Sequence, residues 1–192
     1  KNPAPGGGSV AALCGSLGSA LAHMVANLTL GKEKYKLNWE TMEEVSSKAL
    51  DLSAQFTALI QKDTDAYNQV VDAFKLAKEP REQENIRKQA IQEAMKQAAQ
   101  IPLQTLQAAE QLLHLAKKTV EQGNPNALTD AGAALHMARA TAEVAAYNVR
   151  INLPSIHDEN FRAQCKKSID EILPRINFLF AQVQENIDQQ LG

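Results

Sequence analysis

Three consecutive glycines at the start of an uncharged, alanine-rich stretch form the part of this chain best suited to bind a ligand. Gly6, Gly7 and Gly8 stand directly before Ser9, a residue type that often caps a helix N-terminus. Glycine lets other groups approach the backbone closely, and the first turn of a helix leaves N–H groups unpaired. The pattern predicts a cradle for a carboxylate, a phosphate or a polar ring edge, although it matches neither nucleotide-binding glycine motif. A capped turn that starts a helix in a tight place is the alternative.

A carboxylate lies on the apolar face of the second predicted helix, with Tyr67 one turn further on. A charge on a core face is costly unless it is paired or hydrogen-bonded. Asp63 is therefore the first candidate for general acid–base catalysis, and a purely structural hydrogen-bonded aspartate is the alternative. The stripe in which Asp63 falls has steps of three and four residues: Val45, Ala49, Leu52, Phe56, Leu59, Asp63, Ala66, Val70 and Phe74.

The fourth predicted helix has a similar stripe, polar at both ends and small in the middle. Asp130 begins it, and Asn148 and Asn152 end it. Alanines between them would let a helix or a flat ligand come close, and the amides supply directed donors and acceptors. Asp130 also has a structural interpretation, because an acidic residue in the first turn complements the helix dipole. Arg150 points away from this stripe and suits bidentate binding of a carboxylate.

Further polar candidates follow the glycine-rich segment. His23 and Asn27 are one turn apart on the first helix, where a histidine is more often a satisfied core group than a base. Lys32 and Lys34 follow Gly31 and could hold an anionic substrate tail, although exposed lysines are commonly only solvated.

The composition predicts an all-α fold, because alanine, leucine, glutamine, glutamate and lysine dominate and period-2 alternation is missing. Long helices with short connections predict an up-down bundle of antiparallel helices in a single domain, residues 1–192. Helices of this length would bury more surface against a partner, which favours a homodimer. The predicted helices span residues 9–30, 39–78, 81–122 with a kink or break at Pro102, 126–153 from a start between 126 and 130, and 158–190 with a bend at Pro174.

The overall composition argues against several classes of protein. A net charge of −2 with interleaved acidic and basic residues does not favour nucleic-acid binding. The four histidines and two cysteines have no metal-ligand spacing, and two distant cysteines fit a reducing, cytoplasmic compartment. Residues 10–30 have the length of a membrane span, but their alanines and interrupting polar residues favour a buried bundle helix. Because the chain begins at Lys1, we expect a few upstream residues to be missing.

The same polar and glycine-rich segments resemble the cyclodeaminase/cyclohydrolase family of folate enzymes, which includes the C-terminal part of formiminotransferase-cyclodeaminase. The similarity spans nearly the whole chain, in the right order, and its first and last motifs are specific. The matching stretches are PAPGGGSVAA at 3–12, MVANLTLGKEKY at 24–35, Asp63 to Tyr67, Ile101-Pro102, Gly123-Asn124, Asp130-Ala131 and NVRINL at 148–153.

The resemblance implies an all-α dimer that binds a tetrahydrofolate derivative as its substrate, with no tightly bound cofactor and no metal. It implies Asp63 as the general acid or base, with Asp130 as the second choice or as a pterin ligand. Lys32, Lys34 and Arg150 would bind the glutamate tail. The segment from Pro5 through Gly6, Gly7 and Gly8 to Ser9, together with Asn27, Asn148 and Asn152, would position the pterin or the reacting nitrogens.

Two activities remain open within this family. The first is a formiminotetrahydrofolate cyclodeaminase, a metal-independent ammonia lyase that releases ammonia and forms 5,10-methenyltetrahydrofolate. The alternative is a methenyltetrahydrofolate cyclohydrolase, a C–N hydrolase that opens the methenyl ring to the 10-formyl compound. A catalytically silent helical dimer that binds folate or acts as a scaffold is the third possibility. Two aspartates on core faces argue against it, since a scaffold gains nothing from them.

Overall fold

The computed structural model describes residues 6–192, and helices with their connections account for all of the regular structure in that range. The prediction of an all-α fold is therefore confirmed. Residues 3–5 of the glycine-rich motif lie outside the described residues. The five α-helices are α1 (Gly7–Thr29), α2 (Trp39–Lys75), α3 (Arg81–Gln122), α4 (Leu128–Asn152) and α5 (Glu159–Leu191), with short 3-10 segments at Glu33–Asn38, Pro125–Ala127 and Leu153–Ser155.

Hydrogen bonds between helices give their directions. Along α1, Ser9 is bonded to Asp63 and His23 to Ser46, so residue numbers on α2 fall as those on α1 rise. Between α1 and α4, Thr141 donates to the carbonyl oxygen of Ala11 and Cys14 donates to that of Met137, so residue numbers on α4 also fall as those on α1 rise. Helices α1 to α4 form an antiparallel bundle in which each helix packs against the next and α4 returns to α1.

The last helix packs on the outside of this bundle, against α3 and α4. The Asp158 side chain caps α5 by accepting from the backbone N–H of Phe161 at 3.0 Å. Asp158 also pairs with Lys96 of α3 at 3.0 Å. The backbone N–H of Phe161 and the charge of Lys96 both lower the pKa of the Asp158 carboxyl. Further along, Arg175 binds Glu110 through two nitrogens, so α5 runs in the same direction as α3.

Several helix ends differ from the prediction. Helix α2 ends at Lys75 rather than at Lys78. Helix α3 continues through Pro102 without a break, with that proline buried inside it. Gly31 follows the end of α1 with a φ of 74°, the left-handed conformation that glycine adopts without strain.

Small side chains allow the first and fourth helices to lie close together in the centre of the bundle. Six alanines of α4 and four of α1 are buried, and larger side chains from α2 and α3 surround them. Helix α1 alone has the length and apolar composition of a membrane span among the described helices, and half of that window is buried within the bundle. Membrane-spanning segments and the central helices of bundles share this composition.

The helices α2 and α3 reach beyond the start of α1 and the end of α4. Asp63 lies level with the first turn of α1, and α2 continues for twelve residues more to Lys75. At 1.5 Å per residue this extension is roughly 18 Å long. We call the paired extension, residues 64–98, the α2–α3 arm. One side of the arm therefore overhangs the N-terminus of α1.

The opposite end of the bundle is held together by Asn124, which is only 4% exposed. Its amide nitrogen donates to the carbonyl oxygen of Leu28 at 3.2 Å. Its amide oxygen accepts from the hydroxyl of Tyr35 at 3.0 Å and from the backbone N–H of Asn126 at 3.1 Å. This one side chain thus joins the end of α1, the segment after it and the α3–α4 connection.

Replacing Asn124 with alanine is expected to lower the free energy of unfolding by about 2–3 kcal/mol, because three hydrogen bonds of a buried amide are lost. Urea unfolding followed by circular dichroism measures this change. Asn126→Ala is the matched control, since Asn126 is exposed, and it should cost less than about 0.5 kcal/mol. Equal stability of the two variants would contradict the assignment of Asn124.

Candidate active site

A cleft of about 300 Å³ opens where the N-terminus of α1, the end of α4 and the base of the α2–α3 arm meet. Six of the residues predicted from the sequence to form a site lie in its wall. The complete lining is Gly6, Gly7, Gly8, Asp63, Thr64, Tyr67, Val70, Met95, Ala98, Asn148, Ile151 and Asn152. Four helices therefore contribute to one cavity with both polar and apolar walls.

The carboxylate of Asp63 is held by a buried hydroxyl from α1. Ser9 is 2% exposed, and its Oγ donates to Asp63 Oδ2 at 2.8 Å. The hydroxyl of Thr64 lies 3.4 Å from the same Ser9 oxygen and bonds to the Ile60 carbonyl oxygen at 3.3 Å. Since a serine hydroxyl has one hydrogen, the short contact to the carboxylate is the one it satisfies. Asp63 is thus fixed in one orientation at the cleft wall.

The prediction that Ser9 caps α1 is wrong. The helix begins at Gly7, with Gly6 as its N-cap and no side chain bonded to the first turn. Ser9 is the third residue of the helix, and its hydroxyl donates a hydrogen bond to the carboxylate of Asp63 on α2. The first backbone bond of the helix runs from Val10 N to Gly6 O at 3.1 Å. The N–H groups of Gly7, Gly8 and Ser9 therefore precede the first bonded turn, beside the cleft.

Gly8 makes room for the carboxylate of Asp63. A Cβ atom built on Gly8 would lie 2.7 Å from Asp63 Cγ, closer than such atoms approach in proteins. Any other residue at this position would push the carboxylate away from α1. The glycine run therefore lets the carboxylate of Asp63 lie close to α1, in addition to forming the start of the helix.

Two amides from α4 form the opposite wall. Asn148 Nδ2 donates to the Val144 carbonyl oxygen at 2.8 Å. Asn152 Nδ2 donates to the carbonyl oxygens of Ala98 at 2.9 Å and of Asn148 at 2.8 Å. Asn152 thereby ties the end of α4 to the α2–α3 arm. Both amides are half-buried and are held in place by the helices themselves.

Apolar and aromatic side chains complete the cleft, and sequence reasoning assigned none of them a role in a site. Tyr67 is 44% exposed, lies one turn beyond Asp63 on α2 and lines the same cleft. Val70 and Met95 come from the α2–α3 arm, and Ile151, which is 75% exposed, comes from α4. An exposed aromatic residue four positions after a core aspartate was the signal that could have revealed this wall.

Asn27 and Asp130 lie away from this cleft. Asn27 is near the end of α1, about 28 Å along the helix axis from Gly8. It bonds to His23 Nε2 at 2.9 Å and, through Oδ1, to Ser46 Oγ at 3.2 Å. Asp130 is in the first turn of α4, about 27 Å along that axis from Asn148. Within one chain, Asp63 and Asp130 therefore cannot act on the same carbon atom.

The predicted tail-binding residues are also outside the cleft. Lys32 and Lys34 follow α1 at the far end of the bundle, and Lys34 Nζ lies 4.6 Å from the centre of the Tyr35 ring. Arg150 points to the other side of α4, into a groove shared with Arg162, Lys166 and Asp170 of α5. Binding of a glutamate tail by these three basic residues stays a prediction.

The two cysteines are at least partly buried in the bundle. Cys165 is buried and Cys14 is half-buried, and both are free thiols. Burial raises the pKa of the Cys165 thiol, which makes it less reactive. Within residues 6–192 no three His, Cys, Asp or Glu side chains are grouped as they would be to hold a metal ion.

Comparison with known proteins matches this chain to folate enzymes. It is 34% identical to a methenyltetrahydrofolate cyclohydrolase of Methylorubrum extorquens, over 99% of this chain and 91% of that protein. It is 33% identical to the formimidoyltransferase-cyclodeaminase of Rattus norvegicus over 90% of this chain, and it spans about a third, 32%, of the rat protein's length.

A solved structure agrees with these relatives. The formiminotetrahydrofolate cyclodeaminase of Thermotoga maritima superposes with a TM-score of 0.90 at 29% identity, covering 100% of this chain and 92% of that one. The model of the family described as formiminotransferase-cyclodeaminase matches residues 1–171, from the glycine-rich segment into α5. With the family's model matching most of its length, the chain belongs to the formiminotransferase-cyclodeaminase family of folate one-carbon enzymes.

Proposed function

We propose that this chain is a formiminotetrahydrofolate cyclodeaminase that works in the cleft around Asp63. The observation that carries the proposal is a carboxylate fixed by Ser9 at 2.8 Å in a cleft of about 300 Å³, in a chain of this family. The fold match to the cyclodeaminase of Thermotoga maritima supports the choice of activity.

The reaction requires proton transfer and close positioning. N10 of 5-formiminotetrahydrofolate attacks the formimino carbon, and its proton passes to the imino nitrogen. The resulting tetrahedral carbon carries N5, N10 and an amino group. A further proton on that amino group lets ammonia leave, and the cationic 5,10-methenyl ring remains. Asp63 would take the proton from N10 and return it to the departing nitrogen. Holding N10 against the carbon would supply much of the rate.

The shape of the cleft suits the reacting end of a folate. Val70, Met95 and Ile151 offer apolar contact, and Tyr67 offers a ring face against which a flat heterocycle can stack. A volume of about 300 Å³ lies at the small end of ligand sites. We therefore expect the pterin and the one-carbon unit to occupy the cleft while the rest of the folate extends along the α2–α3 arm.

Methenyltetrahydrofolate cyclohydrolase is the second candidate, favoured by the 34% identity to the Methylorubrum extorquens enzyme over nearly the full length of both chains. In that reaction water adds to the methenyl carbon, the bond from carbon to N5 breaks, and 10-formyltetrahydrofolate and a proton are released. Asp63 would then take the proton from water instead of from N10. The two reactions share one tetrahedral carbon between the same two nitrogens.

Absorbance of the methenyl compound distinguishes the two activities. The purified chain is incubated separately with 5-formiminotetrahydrofolate and with 5,10-methenyltetrahydrofolate, and ammonia is measured in parallel. A cyclodeaminase makes the methenyl band grow from the first substrate with one ammonia per turnover. A band that instead decays from the second substrate faster than in buffer would identify a cyclohydrolase. Folate binding without either change would leave a silent binding protein.

We further propose that the chain forms a homodimer through the exposed face of α1. That face carries no charged residue along the whole of Gly7–Thr29. Its exposed apolar side chains follow one side of the helix: Val10, Leu13, Leu17, Met24 and Leu28 are between 37% and 57% exposed. A continuous apolar stripe of this length is typical of an interface between chains.

Leu17→Glu is expected to dissociate this dimer, because it places a charge in the middle of the stripe. Sedimentation velocity at micromolar concentration should give a dimer for the wild type and a monomer for the variant. The matched control is Phe178→Glu, which changes a residue of α5 that is 68% exposed and lies away from α1. A monomeric wild type, or a variant that stays dimeric, would contradict the assignment of α1.

A further inference from the structure

Hydrogen bonds to helix carbonyls determine which way the amide groups of Asn148 and Asn152 are oriented in the cleft wall. A carbonyl oxygen only accepts hydrogen bonds, so the end of each amide that faces a helix carbonyl must be its NH₂ group. Asn152 donates its two amide hydrogens to Ala98 O and Asn148 O, and Asn148 donates one of its two to Val144 O. Turning either amide around would set oxygen against oxygen and lose these bonds.

For Asn152 only the amide oxygen is therefore left for a ligand, whereas Asn148 has its amide oxygen and one hydrogen left. Neither Asn148 Oδ1 nor Asn152 Oδ1 has a hydrogen-bond partner among residues 6–192, and both residues line the cleft. Asn148 also lies beside Gly7, where an added Cβ would come within 3.2 Å of Nδ2 and 3.4 Å of Oδ1, so the glycine leaves space for this amide. This wall carries two fixed acceptors, one helical turn apart.

We propose that Asn148 and Asn152 make the cleft selective for a 4-oxo pterin over its 4-amino counterpart, an inference that rests on the proposed function. A 4-oxo pterin has two adjacent donors, N3–H and the 2-amino group, which suit two acceptors. In a 4-amino pteridine N3 has no hydrogen, so its lone pair would face an amide oxygen. A polar site that is left unpaired in this way discriminates strongly between otherwise similar ligands.

The geometry also determines which residue can be tested cleanly. Asn152 joins α4 to Ala98 of the α2–α3 arm, so its replacement would disturb the cleft wall itself. Asn148 bonds only within its own helix, to the turn before it. Asn148→Ala therefore removes one acceptor while the packing between helices remains. Asn177→Ala on α5 makes the same chemical change at an exposed position and serves as the control.

The test is equilibrium binding of tetrahydrofolate and of tetrahydroaminopterin, its 4-amino counterpart, by titration calorimetry at pH 8, where both ring systems are neutral. The wild type and Asn177→Ala should bind the 4-amino compound about 10-fold to 100-fold more weakly. In Asn148→Ala this ratio should fall below about threefold, mainly because tetrahydrofolate binds less tightly.

Each other outcome counts against the inference. Equal binding of the two compounds by the wild type would overturn it and leave the proposed function standing, since tetrahydrofolate would still bind. A full preference retained by Asn148→Ala would remove that residue from the selection. If neither compound bound to the wild type, the proposed function would fail and the inference with it.

Discussion

Asp63→Asn is expected to lower kcat by about 10²–10⁴-fold, the range that a positioned acid or base contributes. The variant has nearly the same shape, and its amide oxygen can still accept from Ser9, which lies 2.8 Å from the carboxylate in the wild type. Its amide cannot take a proton from N10 or return one to the departing nitrogen. Steady-state kinetics, with folate binding measured separately, should show a large loss of kcat and a dissociation constant changed by less than about fivefold.

Asp65→Asn provides the matched control for this experiment. Asp65 lies on the same helix, is exposed, and accepts from Gln61 Nε2 at 2.8 Å outside the cleft. Its replacement should leave kcat within about twofold of the wild type, since surface changes away from a site have small effects. Near-normal turnover by Asp63→Asn would remove the carboxylate from the chemistry.

Gly8→Ala is expected to be the second most damaging single change, with a loss of about 10²-fold in kcat/KM. The added methyl group would overlap with the Asp63 carboxylate, so the carboxylate must shift from the position in which it bonds to Ser9. A displacement of about 1 Å at a reacting group can cost a factor of this size. We expect stability to fall as well, by about 1–3 kcal/mol, because the packed contact is overfilled.

Gly132→Ala is the matched control, because it makes the same substitution in a helix without overlapping a neighbouring side chain. Gly132 is buried in α4, and an added Cβ would lie 3.5 Å from Ile187 Cδ1, which is ordinary contact. In a helix interior this change should stabilise the chain by up to about 1 kcal/mol and leave turnover unchanged. A Gly8→Ala variant with normal activity would show that the carboxylate does not need its observed position.

Much of the fold could be predicted from the sequence because helix periodicity and helix ends are local properties. Gly31 follows the end of α1 and Pro80 directly precedes α3, as the sequence predicts. Pro102 was the exception, since the prediction allowed a break and the helix continues through it. Pro102 has no N–H for the carbonyl oxygen of Ala98, and that oxygen accepts instead from Asn152 Nδ2 at 2.9 Å, a partner 54 positions away that the sequence does not identify.

The candidate site could be predicted only in part. Asp63 stood out because a carboxylate on an apolar stripe needs a partner, but the sequence could not identify that partner. Ser9 therefore had the features of a cap, while in the fold its hydroxyl bonds to a side chain of another helix 54 positions away. Periodicity identifies which residues share a face, as it did for Asp130 and Asn148. The level of each residue along the bundle depends on how the helices are paired, and this pairing places Asp63 of α2 beside Asn148 and far from Asp130.

The central claim is that a folate binds with its one-carbon unit beside Asp63. A crystal structure of the chain with bound tetrahydrofolate would test it most directly. We predict a pterin ring in the cleft between Asp63 and Asn148, stacked on Tyr67, with N10 within hydrogen-bond distance of the Asp63 carboxylate. Folate bound elsewhere, for example in the groove of Arg150 and Lys166, with the cleft occupied only by water, would contradict the account.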